Sequence, residues 1–220
     1  MVVKLTPQFI EAAGLTLRLG LFGVLGSLLL GGVVELVKYY KVPGLKAFFK
    51  LYFELSRNTP LIVQLFFLFY ALPKIGVVIS AETCAIVGLI FLGGSYMSAA
   101  LASGISEISC GEIEGARALG LNRWQVLSIL IAPQGVKMAL PGIFANLVFL
   151  IKETSVFSAI AVLDLMAVAK GVIGSTYDTN ESLLLLVVSY AVILTPFVVL
   201  YYVLHKYVQK TNIANKGGVA

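Results

Sequence analysis

The side chains able to do chemistry in this 220-residue chain are binding groups set beside or within long apolar runs. Glu153 follows one such run, and Asn146 stands seven residues before it. On a continuous helix the two share a face. A carboxylate and an amide so placed can hold an ammonium group. The hydroxyls of Thr154 and Ser155 can donate to a carboxylate, or bond back to their own helix. Gln64 and Tyr96 add polar groups in two other apolar runs, where packing and interhelical hydrogen bonding compete with ligand binding. Asp164 can serve the same site or the turn after it. Glu153 also has alternatives, since it can pair with Lys152 or Lys170 or reach the membrane interface.

Covalent and metal chemistry lack material. Cys84 and Cys110 stand in no metal-type spacing and His205 is the one histidine, so neither a zinc site nor a histidine-based triad can be assembled. No G-x-x-x-x-G-K-[ST] phosphate loop is present, so any ATP must be held by another polypeptide. No cofactor is expected.

The elements that must position these groups follow from composition. Hydrophobic residues make up 59% of the chain and charged ones 12%, against roughly 25% charged in soluble domains. Mean hydropathy is +0.97. A water-soluble globule would have too little polar surface to cover this much apolar side chain. A span needs roughly 20 mostly apolar residues. Five runs qualify with their flanks: 19–34, 59–72, 83–106, 138–151 and 182–204. The second begins at Pro60, which suits a first helical turn. The last ends among Tyr201, Tyr202 and Tyr207, an aromatic interface belt. Residues 155–163 are apolar but too short to span, as in a re-entrant or interfacial piece.

The expectation is an all-α membrane protein of five transmembrane helices, a single domain over residues 1–220 in contact with lipid. The net charge of +5 then reports orientation, with no nucleic-acid partner expected. Eleven of the sixteen basic residues fall between runs one and two (Lys38, Lys41, Lys46, Lys50, Arg57), between three and four (Arg117, Arg123, Lys137) or after run five (Lys206, Lys210, Lys216). The positive-inside rule therefore puts the N-terminus outside and the C-terminus in the cytoplasm. Pro7, Glu11 and Arg18 precede the first apolar run, so no cleavable signal peptide is expected.

Residues 106–133 form an interval of mixed apolar and charged residues between the third and fourth runs. Ile113, Ala116 and Leu119 recur at helical spacing, Gly120 supplies a left-handed stop, and Asn122 can cap a second short helix. In that helix Trp124, Leu127 and Leu130 line up, and Pro133 is expected to end it.

Within this interval, Glu114-Gly-Ala116, three residues, Gly120, nine residues and Leu130-Ile-Ala-Pro133 resemble the EAA loop of ATP-binding-cassette importer permeases. The usual pattern is Glu-Ala-Ala, a Gly four residues after the last Ala, then Ile-x-Leu-Pro. Arg57-Asn-Thr-Pro-Leu-Ile-Val-Gln64, Ala139-Leu-Pro141, Asn146 and Ile151-Lys-Glu-Thr-Ser155 resemble positions of the polar amino-acid (histidine, glutamine and arginine type) permeases. The likeness covers roughly residues 10–205. One departure stands out: Ala99 and Ala102 occupy positions where that family commonly carries Glu and Arg, which would leave those charges to a non-identical partner permease.

The resemblance implies a type I importer permease fold in a bacterial cytoplasmic membrane, acting with a separate ATPase subunit, a second permease subunit and an extracytoplasmic amino-acid-binding protein. It makes residues 106–133 the coupling loop, with Glu114, Ala116, Gly120 and Pro133 engaging the ATPase, and makes the chain itself no enzyme. A permease for another small solute, an ion-driven transporter or channel, and a non-transporting membrane scaffold are the alternatives. The channel reading leaves the Glu114–Gly120 loop without a purpose.

Overall fold

The structure is a computed structural model; it describes the backbone of residues 2–217 and the side chains of residues 5–208. All regular elements among the described residues are helical. Helix α1 (Val2–Tyr40) extends well beyond the first apolar run, because Glu11 and Arg18 interrupt hydropathy without interrupting the helix. Arg18 pairs with Glu82 at 2.8 Å, tying α1 to the first turn of the third span.

The interval expected as a basic loop is largely helical. Helix α2 (Leu45–Asn58) is amphipathic: Tyr52 and Ser56 face inward, Phe48, Leu51 and Leu55 form an exposed apolar stripe, and Lys46 and Lys50 stand one turn apart. Its charges keep it from reading as a span. At Thr59-Pro60 the chain turns by 106° into α3 (Leu61–Phe66), which continues through a π turn (Phe67–Ala71) and a 3-10 turn (Leu72–Ile75). Pro60 stands just before the first helical residue, not inside the turn, and its carbonyl accepts from the Val63 and Gln64 amides at 3.0 and 3.3 Å.

Helix α4 (Ala81–Ser106), capped by Ser80, is the buried centre. It packs on α1 along one side and on α7 (Ala132–Glu153) along another. Between α4 and α7 come two short helices, α5 (Cys110–Ala118) and α6 (Arg123–Gln125). Pro133 does not end the helix begun at Arg123, contrary to expectation. A π turn (Val126–Ile131) precedes it and the helix runs on as α7, because the wider turn absorbs the hydrogen bond that proline cannot make. Residues 155–163 likewise form no separate re-entrant piece: a 3-10 turn (Thr154–Ile160) prolongs α7, burying Phe157 and Ile160. Two further helices follow, α8 (Leu165–Thr176) and α9 (Thr179–Gly217).

Among the described residues four helices are long and apolar enough to cross a membrane, and a fifth span arises if α2 and α3 count as one broken crossing. The core joins Leu19, Leu65, Leu89, Met97, Leu150 and Phe157 from α1, α3, α4, α7 and the turn after α7. Tight helix approach makes this possible. A Cβ at Gly104 would stand 2.3 Å from the Gly135 carbonyl oxygen, so α4 and α7 nearly touch backbone to backbone.

Candidate functional site

The interval expected to couple to a partner is a helical hairpin whose turn chemistry is local. Ser109 accepts from the Glu112 amide at 3.2 Å and starts α5. At the other end Gly120 adopts φ +83°, its amide donating to the Arg117 carbonyl at 2.9 Å while the Leu121 amide reaches Ala116 at 3.3 Å. This pair of bonds closes the helix in a Schellman turn. Asn122 and Gln125 then form a reciprocal capping box that starts α6.

Ile113 and Ala116 turn inward against Ile108, Val126, Leu127 and Ile131. Glu114 and Gly120 remain exposed, as does Pro133 at the second residue of α7. Two residues of the expected helical rows point outward: Leu119 is 84% exposed and Trp124 63%. Leu119 lies past the last helical turn and Trp124 opens the next one, so neither continues the apolar face. Glu114, Leu119 and Trp124 are thus all exposed on the hairpin. The space around Gly115 is open, so nothing within the chain requires a glycine there.

A second cluster lies where α2, α4 and α7 meet. The Ser56 hydroxyl lies within hydrogen-bonding distance of the Phe91 and Leu92 carbonyls and of the Ser95 hydroxyl, and Tyr52 donates to the Phe91 carbonyl at 2.8 Å. Arg57, counted above among the loop cations, donates instead to the main-chain carbonyl of Ser95 in the body of α4. Its guanidinium lies 5.3 Å from the Tyr96 ring centroid and 5.1 Å from that of Phe53. Asn146 on α7 donates to the Tyr96 carbonyl at 3.0 Å, and the Tyr96 and Phe149 rings lie 5.2 Å apart. Gln64 joins through the backbone, donating to the Ser56 and Thr59 carbonyls and leaving its own Oε1 buried without a partner.

Of the expected binding residues, the structure therefore unites Tyr96 with Asn146, and Gln64 with the α2 end that carries Arg57. Glu153, Thr154 and Ser155 sit at the far end of α7, two turns along the face from Asn146. Thr154 is fully buried and its hydroxyl donates to the Ile151 carbonyl at 2.7 Å, back onto its own helix. Ser155 is half-buried, as is Glu153. The ion pairs among the described residues are Arg18–Glu82 and Lys38–Glu35, so Glu153 makes no salt bridge with Lys170, and the adjacent Lys152 acts on it without a close contact. Lys170 donates instead to Ser158 at 3.2 Å. Asp164 belongs to the turn: it caps α8, accepting from the Ala167 amide at 2.8 Å.

Sequence reasoning missed Arg57 and a second charged set. Glu35 on α1 accepts from the Ser98 hydroxyl and from Lys38 at 2.7 Å. With Ala99 and Ala102 in α4, charge at this level comes from α1 and α2. The Glu35/Lys38 spacing, one turn inside a helical stretch, was the available signal.

Residues 23–212 match the family described as the binding-protein-dependent transport system inner membrane component. The probable amino-acid ABC transporter permease protein PatM of Vibrio harveyi is 30% identical over 192 residues, 86% of each chain. The corresponding protein YckA of Bacillus subtilis is 32% identical over 178 residues, covering 81% of this chain and 79% of its own. A crystal structure of an amino acid ABC transporter with histidines superposes with a TM-score of 0.85 at 29% identity, over 93% of this chain and 96% of that one. The inward-facing MetNI methionine ABC transporter shares the fold, with a TM-score of 0.71 at 19% identity over 90% of this chain and 96% of that one. Matched over most of its length to one family and superposable on solved ABC transporters, the chain belongs to the inner membrane components of binding-protein-dependent transport systems.

Proposed function

We propose that the chain is the permease subunit of an ATP-driven importer for polar amino acids in a bacterial cytoplasmic membrane. The relatives described as amino-acid permeases support the substrate class. The hairpin supports the coupling. Its two helices are held at a fixed angle by the Gly120 turn and the Asn122 cap, while Glu114, Leu119 and Trp124 face outward. A partner ATPase that docks there can push on α7 without a loose joint, because α6, the π turn and α7 are one continuous helix. A second permease subunit completes the pore, and an extracytoplasmic binding protein delivers the amino acid. ATP binding and release then shift the pair between inward- and outward-facing states through differential affinity for the two. The N-terminus lies outside and the C-terminus in the cytoplasm. The Arg57–Tyr96–Asn146 cluster and the half-buried Glu153 are the substrate contacts: the guanidinium fork suits a carboxylate, and Glu153 suits an ammonium group.

The observation that carries this reading is the rigid, outward-facing hairpin of residues 106–133. The test is ATP-driven uptake in vesicles reconstituted with the ATPase and permease subunits and supplied with binding protein. The chain alone should hydrolyse no ATP. Glu114→Lys reverses a charge on the docking face, and Gly120→Val forces a β-branched residue into positive φ. Both should lower uptake while the chain still inserts. Normal uptake in both variants would remove the hairpin as the coupling element.

A further inference from the structure

Between the C-terminal end of α1 and the first turns of α2 lies a cavity of about 810 Å³. Its walls carry Lys38, Lys41, Lys46 and Lys50 together with the rings of Phe49 and Phe53. Lys38 is paired with Glu35 and lies 4.6 Å from the Phe53 centroid. No described carboxylate forms an ion pair with Lys41, Lys46 or Lys50. No acidic residue lines the cavity or stands in the first turn of α2. Lys41 holds a left-handed backbone, φ 51°, in the turn that closes α1, a conformation that favours glycine. The turn thus carries an ammonium group at the cavity rim in spite of local strain.

The orientation of α2 sets the depth of this cavity. The helix is bent by 106° from α3 and leaves Phe48, Leu51 and Leu55 exposed. An amphipathic helix of this kind rests at the boundary between headgroups and acyl chains. Three uncompensated ammonium groups beside aromatic rings at that level complement an anion that carries hydrocarbon.

We propose that this cavity binds an anionic phospholipid, its phosphate held among Lys41, Lys46 and Lys50 and its acyl chains laid against Phe49 and Phe53. The site is separate from the transport reading and does not depend on which leaflet it faces.

The test uses the full chain in phosphatidylcholine vesicles containing a photoreactive lipid, either phosphatidylglycerol or phosphatidylcholine with the same reactive acyl chain. Phosphatidylglycerol should label peptides within residues 37–53 about tenfold more than phosphatidylcholine. A surface lysine contributes about fivefold in affinity for an anionic lipid, so Lys46→Gln with Lys50→Gln should bring the two lipids close to parity. Lys206→Gln with Lys210→Gln, which removes the same charge elsewhere, should leave the preference intact. Equal labelling of the wild-type chain by the two lipids overturns the proposal without recourse to any variant. So does a preference that survives loss of Lys46 and Lys50. Suppression of labelling by millimolar inorganic phosphate would mark a free-anion site and overturn it as well.

Discussion

The guanidinium of Arg57 lies 5.3 Å from the centroid of the Tyr96 ring while it donates to the carbonyl of the residue before that tyrosine. One side chain from α2 thus grips both the backbone and the ring of α4. A cation over an aromatic face contributes about 0.5–2 kcal/mol, more when desolvated. Lysine cannot reproduce the planar fork. Arg57→Lys and Arg57→Gln should both lower uptake per assembled complex, the second about tenfold. Tyr96→Phe should be nearly silent, since the contacts of Tyr96 run through its ring and its main-chain carbonyl. Tyr96→Ala should match Arg57→Gln. If Arg57→Gln left uptake per complex unchanged, the cluster would be architecture alone.

The α4–α7 crossing predicts a sharp contrast between two glycines. At Gly104 a Cβ would stand 2.3 Å from the Gly135 carbonyl oxygen and 2.5 Å from the Ala139 nitrogen, both backbone atoms that cannot rotate away. Gly104→Ala must push the helices apart, at about 1–3 kcal/mol. Gly111, with open space around it, should accept alanine freely. The comparison is melting temperature in detergent, and equal values for the two variants would mean that the crossing is looser than described.

Asp164 gives a pH prediction with a definite sign. Burial pushes its carboxyl up to about 6 from an ordinary 3.8, against the opposing effect of the Ala167 amide. The folded chain therefore holds a proton there between about pH 4 and 6 that the unfolded chain has lost. Stability from this residue falls as pH rises through that window. The wild-type chain should melt lower at pH 7 than at pH 5, and Asp164→Asn, which keeps the cap, should flatten the difference. Asp164→Ala should lose about 1 kcal/mol at both values by removing the cap. A slope unchanged in Asp164→Asn would assign the pH dependence to another group.

Spans and turns were legible in the sequence for different reasons. A membrane crossing needs a long apolar run, and α4 and α9 satisfy that on composition alone. Gly120 and Asn122 were legible because positive φ and helix capping are local properties of one or two residues. Helix α2 was not, since Lys46, Lys50, Glu54 and Arg57 break the hydropathy while leaving the 3.6-residue period intact. Pro133 misled because the π turn ahead of it has no residue-type signature. The partner of Asn146 was hidden for a similar reason: it is a main-chain carbonyl, and every residue has one. Arg57 read as a loop cation because its loop was in fact a helix pointing it at α4.

Glu153 offers the strongest test of the substrate reading. It ends α7 half-buried, on the same helical face as Asn146, about 10 Å further along the axis. No ion pair holds it, since Lys170 is engaged with Ser158 and Lys38 and Arg18 serve other carboxylates. Removing its charge breaks no salt bridge, and only the exposed neighbour Lys152 loses an electrostatic partner. Glu153→Gln should assemble normally with the ATPase. A charge-assisted hydrogen bond contributes roughly 1.5–3 kcal/mol, so if Glu153 meets the substrate ammonium, uptake per assembled complex should fall tenfold or more. Ser155→Ala, within the 3-10 turn, should give a smaller loss, and Thr154→Val should act through folding, because that hydroxyl is committed to Ile151. The measurement is uptake into reconstituted vesicles with binding protein in excess, normalised to the assembled complex. Unchanged uptake per complex in Glu153→Gln would remove this end of α7 from the site and leave the substrate to Arg57, Tyr96 and Gln64.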